Sequence, residues 1–158
     1  MADPGTFVDY LTADHRDSDS LLAWLQEQAD AGCFAEARAA FARFRADTLA
    51  HFAAEENVLF PEFERLTGIQ NGPTEVMRVE HGDALALIAD VSLALEEHDA
   101  NRAHGYAEAL LILLQQHNLK EEYILYPAVL GAAGSNAAML SARVVEAREG
   151  TVRPDLQP

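Results

Sequence analysis

Apolar residues recur along this chain at helical spacing in four long segments. In the first, about Thr6 to Asp30, Phe7, Leu11, Leu22 and Leu25 share one stripe with His15 and Ser18. Ala31-Gly32 breaks it, with Gly32 suited to the left-handed conformation that ends many helices. The second starts near Phe34 and aligns Phe41, Phe44, Thr48, His51, Glu55 and Val58. Pro61 lacks a backbone donor and is predicted to kink or end this helix near Phe60. Turn residues from Leu66 to Pro73 read as a loop. Thr74 is predicted to cap the third segment, whose stripe is Met77, His81, Leu85, Ile88 and Leu95. After a polar break at His98–Asn101 comes the fourth, about Arg102 to Tyr126. It aligns Ala107, Leu110, Leu114, His117, Glu121 and Ile124. Gly131–Gly134 sets off a short helix, about 136–148, and residues 151–158 are expected to fray. The pattern predicts an all-α fold, one domain over residues 1–158. An up-down-up-down four-helix bundle over about 6–130 would carry a short C-terminal fifth helix.

Six ionisable residues interrupt these stripes, and they repeat. The run His51-Phe52-Ala53-Ala54-Glu55-Glu56-Asn57-Val58-Leu59-Phe60-Pro61 returns as His117-Asn118-Leu119-Lys120-Glu121-Glu122-Tyr123-Ile124-Leu125-Tyr126-Pro127. Each copy has a lone histidine 36 residues before it, His15 and His81. A His and a Glu at i and i+4 lie on one helix face, one turn apart. At about 1.5 Å rise per residue, all four histidines and both glutamates can reach one level of the bundle.

Buried carboxylates need a cation or a partner. No Lys or Arg falls on the stripes at that level, and Lys120 points off its stripe. Four imidazoles and two carboxylates suit one or two metal ions, iron first, with manganese or zinc as competitors. Two ions fit better, because Glu55 and Glu121 can each bridge while each ion takes two histidines. An oxo or hydroxo bridge would complete five ligands and leave an open position on each ion.

Charge and composition narrow the partners. A formal net charge of −15 argues against nucleic acid and anionic membrane surfaces. One cysteine, Cys33, excludes an intrachain disulfide and reads as a small apolar residue beside a turn. The N-terminus shows no basic or apolar leader region, and the longest apolar run, Ala109–Leu114, is too short to span a bilayer. A cytoplasmic protein is expected.

The arrangement of a lone His, His-x-x-x-Glu, a lone His and His-x-x-x-Glu on four helices resembles the hemerythrin-like family, the HHE cation-binding domains. The resemblance covers about residues 6–130. It implies a non-haem di-iron centre with His15, His51, His81 and His117 as terminal ligands and Glu55 and Glu121 as bridges. Two departures stand out. Met77 occupies the place of the fifth histidine of oxygen-carrying members, and Glu121 follows His117 by four residues where those members have an aspartate at five. Both imply a more symmetric pair of ions. The resemblance therefore points to binding or sensing of oxygen or nitric oxide, or to iron handling. The alternative is a di-iron enzyme: ferroxidase, peroxide or NO reduction, or iron-centre repair. Ferritin-type chemistry fits less well, since those bundles place Glu before His.

Neighbouring residues are assigned lesser roles. Glu56 and Glu122 lie about 100° round the helix from the bridging glutamates, at the outer surface or holding a ligand imidazole. Asp14 and Glu80, and Asp17 and Asp83, flank the lone histidines as further acceptors. Phe41, Phe44, Phe52, Phe60, Phe63, Tyr123 and Tyr126 are expected mostly to pack the core. His98 and His104 are expected in solvent.

Overall fold

The computed structural model describes residues 5–150; the N-terminal residues 1–4 and the end expected to fray, 151–158, lie outside them. Helix α1 (Phe7–Asp30) is followed by α2 (Phe34–Ala54), which runs through a π turn at Glu55–Leu59 into α3 (Phe60–Thr67). Helix α4 (Pro73–Glu96) is followed by α5 (Ala100–Lys120), which runs through a second π turn at Glu121–Leu125 into α6 (Tyr126–Ala133). A short 3₁₀ turn, Gly134–Asn136, leads into α7 (Ala137–Gly150). The fold is an all-α bundle, and no strand occurs among the described residues.

Local chemistry sets the ends. Thr6 caps α1 in a reciprocal box: its hydroxyl accepts from the Val8 N–H and its own N–H donates to Asp9. Gly32, at φ +77°, closes the far end as expected. Asp99 caps α5 through the Arg102 N–H. At α4 the expectation fails: Gly72 is the N-cap and Pro73 takes the first turn, where its missing N–H costs nothing. Thr74 is instead fully buried inside the helix.

Helix α1 packs on α2 and α5, α4 on α5 and α2, closing a ring of four. The cores sit at the two ends. One joins Leu22, Leu25, Phe41, Phe44, Ile88 and Leu110. The other joins Phe7, Leu11, Leu59, Phe63, Leu125 and Val144. Each fully buried Leu or Phe contributes about 1.5–3 kcal/mol. The His/Glu level lies between the two. Helix α7 folds back over α1, α2 and the first π turn, and Ser141 accepts the Phe7 N–H at 2.9 Å.

The prolines do not end their helices. In each π turn the N–H reaches back five residues, Phe60 to Glu55 and Tyr126 to Glu121. The widened turn gives the following proline ring room beside the carbonyl four residues back. Helix α3 therefore continues to Gly68, left-handed at φ +74°, and the fourth segment runs on to Ala133. One extra residue per turn also shifts the register. Leu59 and Leu125 are fully inside, Val58 is partly buried against the same core, and Ile124 is 63% exposed. Leu85, expected inside, is also exposed, with Ala84 buried instead. By length and composition alone, a stretch within Ala100–Gly150 of mean hydropathy 1.2 could cross a membrane. Here that segment carries His117 and Glu121 into the core and is broken at Gly134, φ +53°.

The shifted register has a direct test. Leu125→Ala should lower unfolding free energy by about 2–5 kcal/mol in urea titration. Ile124→Ala should change it by less than about 0.5 kcal/mol. The reverse order would restore the plain α-helical register.

Candidate metal centre

The fold brings all six repeated residues together. Glu55 and Glu121 are fully buried, and His15, His51, His81 and His117 nearly so. Two overlapping groups form, His15, His51, Glu55 and Glu121 on one side, and His81, His117, Glu55 and Glu121 on the other. Glu55 divides its oxygens, Oε1 lying 3.1 Å from His51 Nε2 and Oε2 3.1 Å from His81 Nε2. Glu121 Oε1 lies 3.3 Å from His15 Nε2 and 3.2 Å from His117 Nε2.

Several of these close atoms make no hydrogen bond. Among the described residues, Glu55 Oε2, both Glu121 carboxylate oxygens, His81 Nε2 and His117 Nε2 have no hydrogen-bond partner. Buried polar atoms rarely go unmatched, and these are aimed at one another's neighbourhood. Such a donor set is compatible with a metal site, because a cation accepts lone pairs from several directions at once.

The other nitrogen of each imidazole explains the orientation. His15 Nδ1 lies 3.0 Å from Glu122, His51 Nδ1 3.0 Å from Asp14, His81 Nδ1 3.0 Å from Glu56 and His117 Nδ1 2.8 Å from Glu80. Each Nδ1–H donates to a carboxylate, which turns the Nε2 lone pair inward. All four acceptors are residues the sequence picks out. Asp17 and Asp83, proposed alongside them, are exposed. Two cations back the outer acids: Arg148 of α7 on Asp14, at 2.8 Å, and Lys120 on Glu80.

Electrostatics follow from this crowding. Burial opposes a charge on His51 and His117, but Glu55 beside the first and Glu121 beside the second outweigh it. His51 is pushed up to about 10 and His117 to about 9. Burial likewise opposes ionised Glu55, yet His51 and His81 hold it well below the usual carboxylate range. The buried carboxylates thus favour protons on His51 and His117. A metal ion would displace them, since a ligating imidazole must be neutral.

The donor atoms obey the repeat; their surroundings do not. Tyr126 is fully buried, with its hydroxyl 2.5 Å from Glu55 Oε1 and 3.3 Å from His15 Nε2. Its counterpart in the first copy is Phe60, stacked against His81. Phe52 also stacks on His81, with ring centroids 3.7 Å apart, where the second copy has Asn118. Asn118, Ser18 and Thr48 border a cavity of about 10 Å³ beside His15 and His51, room for about one water. The corresponding residues in the other half are Phe52, Ala84 and Leu114. Phe52 and Leu114 also line that cavity, so the polar groups beside His15 and His51 sit among apolar neighbours.

Tyr126 is the residue that periodicity misses. In an unbroken α-helix a residue five places after Glu121 points well away from it. The π turn stacks the two. Arg148 is missed because its contact with Asp14 spans 134 residues. The remaining aromatics pack as expected except Tyr123, which is 76% exposed. His98 and His104 are exposed, His98 against Phe34 and Arg38.

Such a ring of helices around a buried His/Glu cluster defines a helical bundle suited to holding cations. The family model described as the hemerythrin HHE cation binding domain matches residues 6–129. The chain belongs to that family. Comparison with curated proteins and with solved structures gave no match.

The link between α7 and the centre can be measured. In a double-mutant cycle, Asp14→Ala and Arg148→Ala should couple by about 0.5–3 kcal/mol in chemical unfolding. Glu62→Ala and Arg65→Ala, an exposed pair, should couple by less than about 1 kcal/mol.

Proposed function

We propose that this protein is a non-haem di-iron protein that binds or senses oxygen or nitric oxide, or handles iron. His15 and His51 would hold one ion and His81 and His117 the other, with Glu55 and Glu121 bridging. The observation that carries this reading is the pair of donor groups that share both glutamates. Charge supports two ions. Six carboxylates touch the four imidazoles, and Arg148 and Lys120 answer two of them, as their contacts show. With neutral imidazoles, four negative charges remain, which two divalent ions would balance. The mixed nitrogen and oxygen donors favour iron over softer-ligand metals, with manganese or zinc as substitutes.

Bound iron supplies reversible electron transfer and open coordination positions for a diatomic ligand. The chain's own part is to orient and to exclude water. The outer carboxylates fix four imidazole rings. Phe52 and Phe60 cover His81, so this side suits a small neutral molecule. The charge of −15 supports a protein that avoids nucleic acid and anionic membranes.

Metal analysis of aerobically purified protein tests the reading. Two irons per chain are expected, with near-ultraviolet bands that azide alters. Glu121→Ala, which removes a member of both donor groups, should lose both ions, while His81→Ala should lose one preferentially. Oxygen and nitric oxide should then bind stoichiometrically; sustained consumption with a reductant would move the assignment to an enzyme. Chelation should lower the unfolding free energy, by as much as about 4 kcal/mol if free metal stood a thousandfold above its Kd. No iron, even after anaerobic loading with ferrous ion, would overturn the di-iron reading.

A further inference from the structure

The repeat has one mismatch that places a new oxygen atom among the donors. Tyr126 and Phe60 are equivalent positions, each the first residue after its π turn. Only Tyr126 carries a hydroxyl, and that hydroxyl faces one of the two donor groups. It lies 2.5 Å from Glu55 Oε1 and 3.3 Å from His15 Nε2. Other adjacent donors of that group are 3.2 Å apart for His15 and His51 Nε2, 3.1 Å for His51 and Glu55, and 3.3 Å for His15 and Glu121. Two ligands at right angles on an ion, each about 2.1 Å from it, are separated by about 3 Å. The phenol oxygen therefore sits as one more member of the same set.

The ring cannot easily carry that oxygen elsewhere. It stacks on His15, with centroids 5.9 Å apart and planes at 18°, and meets Phe7 edge-on at 6.0 Å. Its backbone N–H is tied to the Glu121 carbonyl by the π turn, one turn beyond the shared carboxylate. Both of these partners of the hydroxyl belong to the centre. Both would turn their lone pairs to a bound ion, leaving the phenol oxygen to do the same.

We propose that Tyr126 is a fifth protein donor, through its hydroxyl oxygen, to the ion held by His15 and His51. This rests on the iron reading above. Phenolate is a hard oxygen donor, known in haem proteins as an iron ligand, and it suits the ferric state. Binding forms the oxygen–metal bond and releases the phenol proton to solvent, as metal binding to protonated ligands generally does. The centre then becomes unequal: five protein donors on the His15–His51 side, and four on the His81–His117 side, where Phe60 offers none. The more symmetric pair implied by Met77 and Glu121 does not survive this. The freer position falls on the side lined by Phe52 and Phe60.

Spectroscopy of the ferric-loaded full chain tests the assignment without an activity assay. Wild type should show a visible phenolate-to-iron charge-transfer band. Resonance Raman excitation within that band should reveal tyrosine ring modes that shift when the protein is grown on ring-deuterated tyrosine. That measurement needs no variant. Tyr126→Phe, checked for folding by circular dichroism, should retain iron and lose the band. Two irons in wild type with no tyrosine modes would overturn the assignment and leave the di-iron reading intact. A band that persists in Tyr126→Phe would also overturn it. Failure of the wild type to take up iron would overturn both.

Discussion

Two glutamates sit at zero solvent exposure in the middle of a helical core, and the rest of the centre answers that constraint. A carboxylate stripped of water costs several kcal/mol unless charge or hydrogen bonds replace the lost hydration. Glu55 and Glu121 find four imidazoles around them, and the imidazoles in turn find four outer carboxylates. The outer carboxylates then meet solvent, Lys120 or Arg148. Charge is passed outward in shells until water can take it. Helix α7, which contributes no inner donor, belongs to this scheme through Arg148.

The same scheme shows how a repeated half can diverge without losing its inner geometry. The donors of the two copies superimpose in sequence, and so do their outer acids: Asp14 with Glu80, Glu56 with Glu122. Behind them the copies differ at Ser18 and Ala84, Thr48 and Leu114, Asn118 and Phe52, and Tyr126 and Phe60. None of these exchanges disturbs an imidazole's hold on its carboxylate. They alter what lies beside each imidazole pair: Ser18, Thr48 and Asn118 border His15 and His51, and two phenyl rings stack on His81.

Much of this was legible in the chain because it rests on α-helical spacing. The i, i+4 pairs His51–Glu55 and His117–Glu121 end regular α-helices, so their relation is what the sequence suggests. Glu56 and Glu122, one residue on, turn outward and reach the neighbouring imidazoles as their helical angle allows. Legibility stops at the next residue. Proline normally ends a helix, and nothing local announces that a five-residue turn will accommodate it. The extra residue hid the continuation into α3 and α6, misassigned Ile124, and concealed that Tyr126 follows Glu121 on one face. Thr74 misled for a related reason, since Pro73 occupies the first turn. Arg148 was beyond reach because only the folded chain brings α7 to Asp14.

The crossed pattern of outer contacts also bears on how the protein is made. His15, near the start, depends on Glu122, 107 residues later, while Arg148 completes Asp14 across 134 residues. Both donor groups include Glu121, so neither exists until the fifth helix has been synthesised and packed. A nascent chain ending before that point offers only scattered histidines, which bind metal weakly and without order. Non-local contacts of this kind form late, after loop-closure entropy has been overcome. A metal held by these donors would therefore arrive only after Glu121 had been made and packed, and its uptake would report that the four long helices had closed on one another.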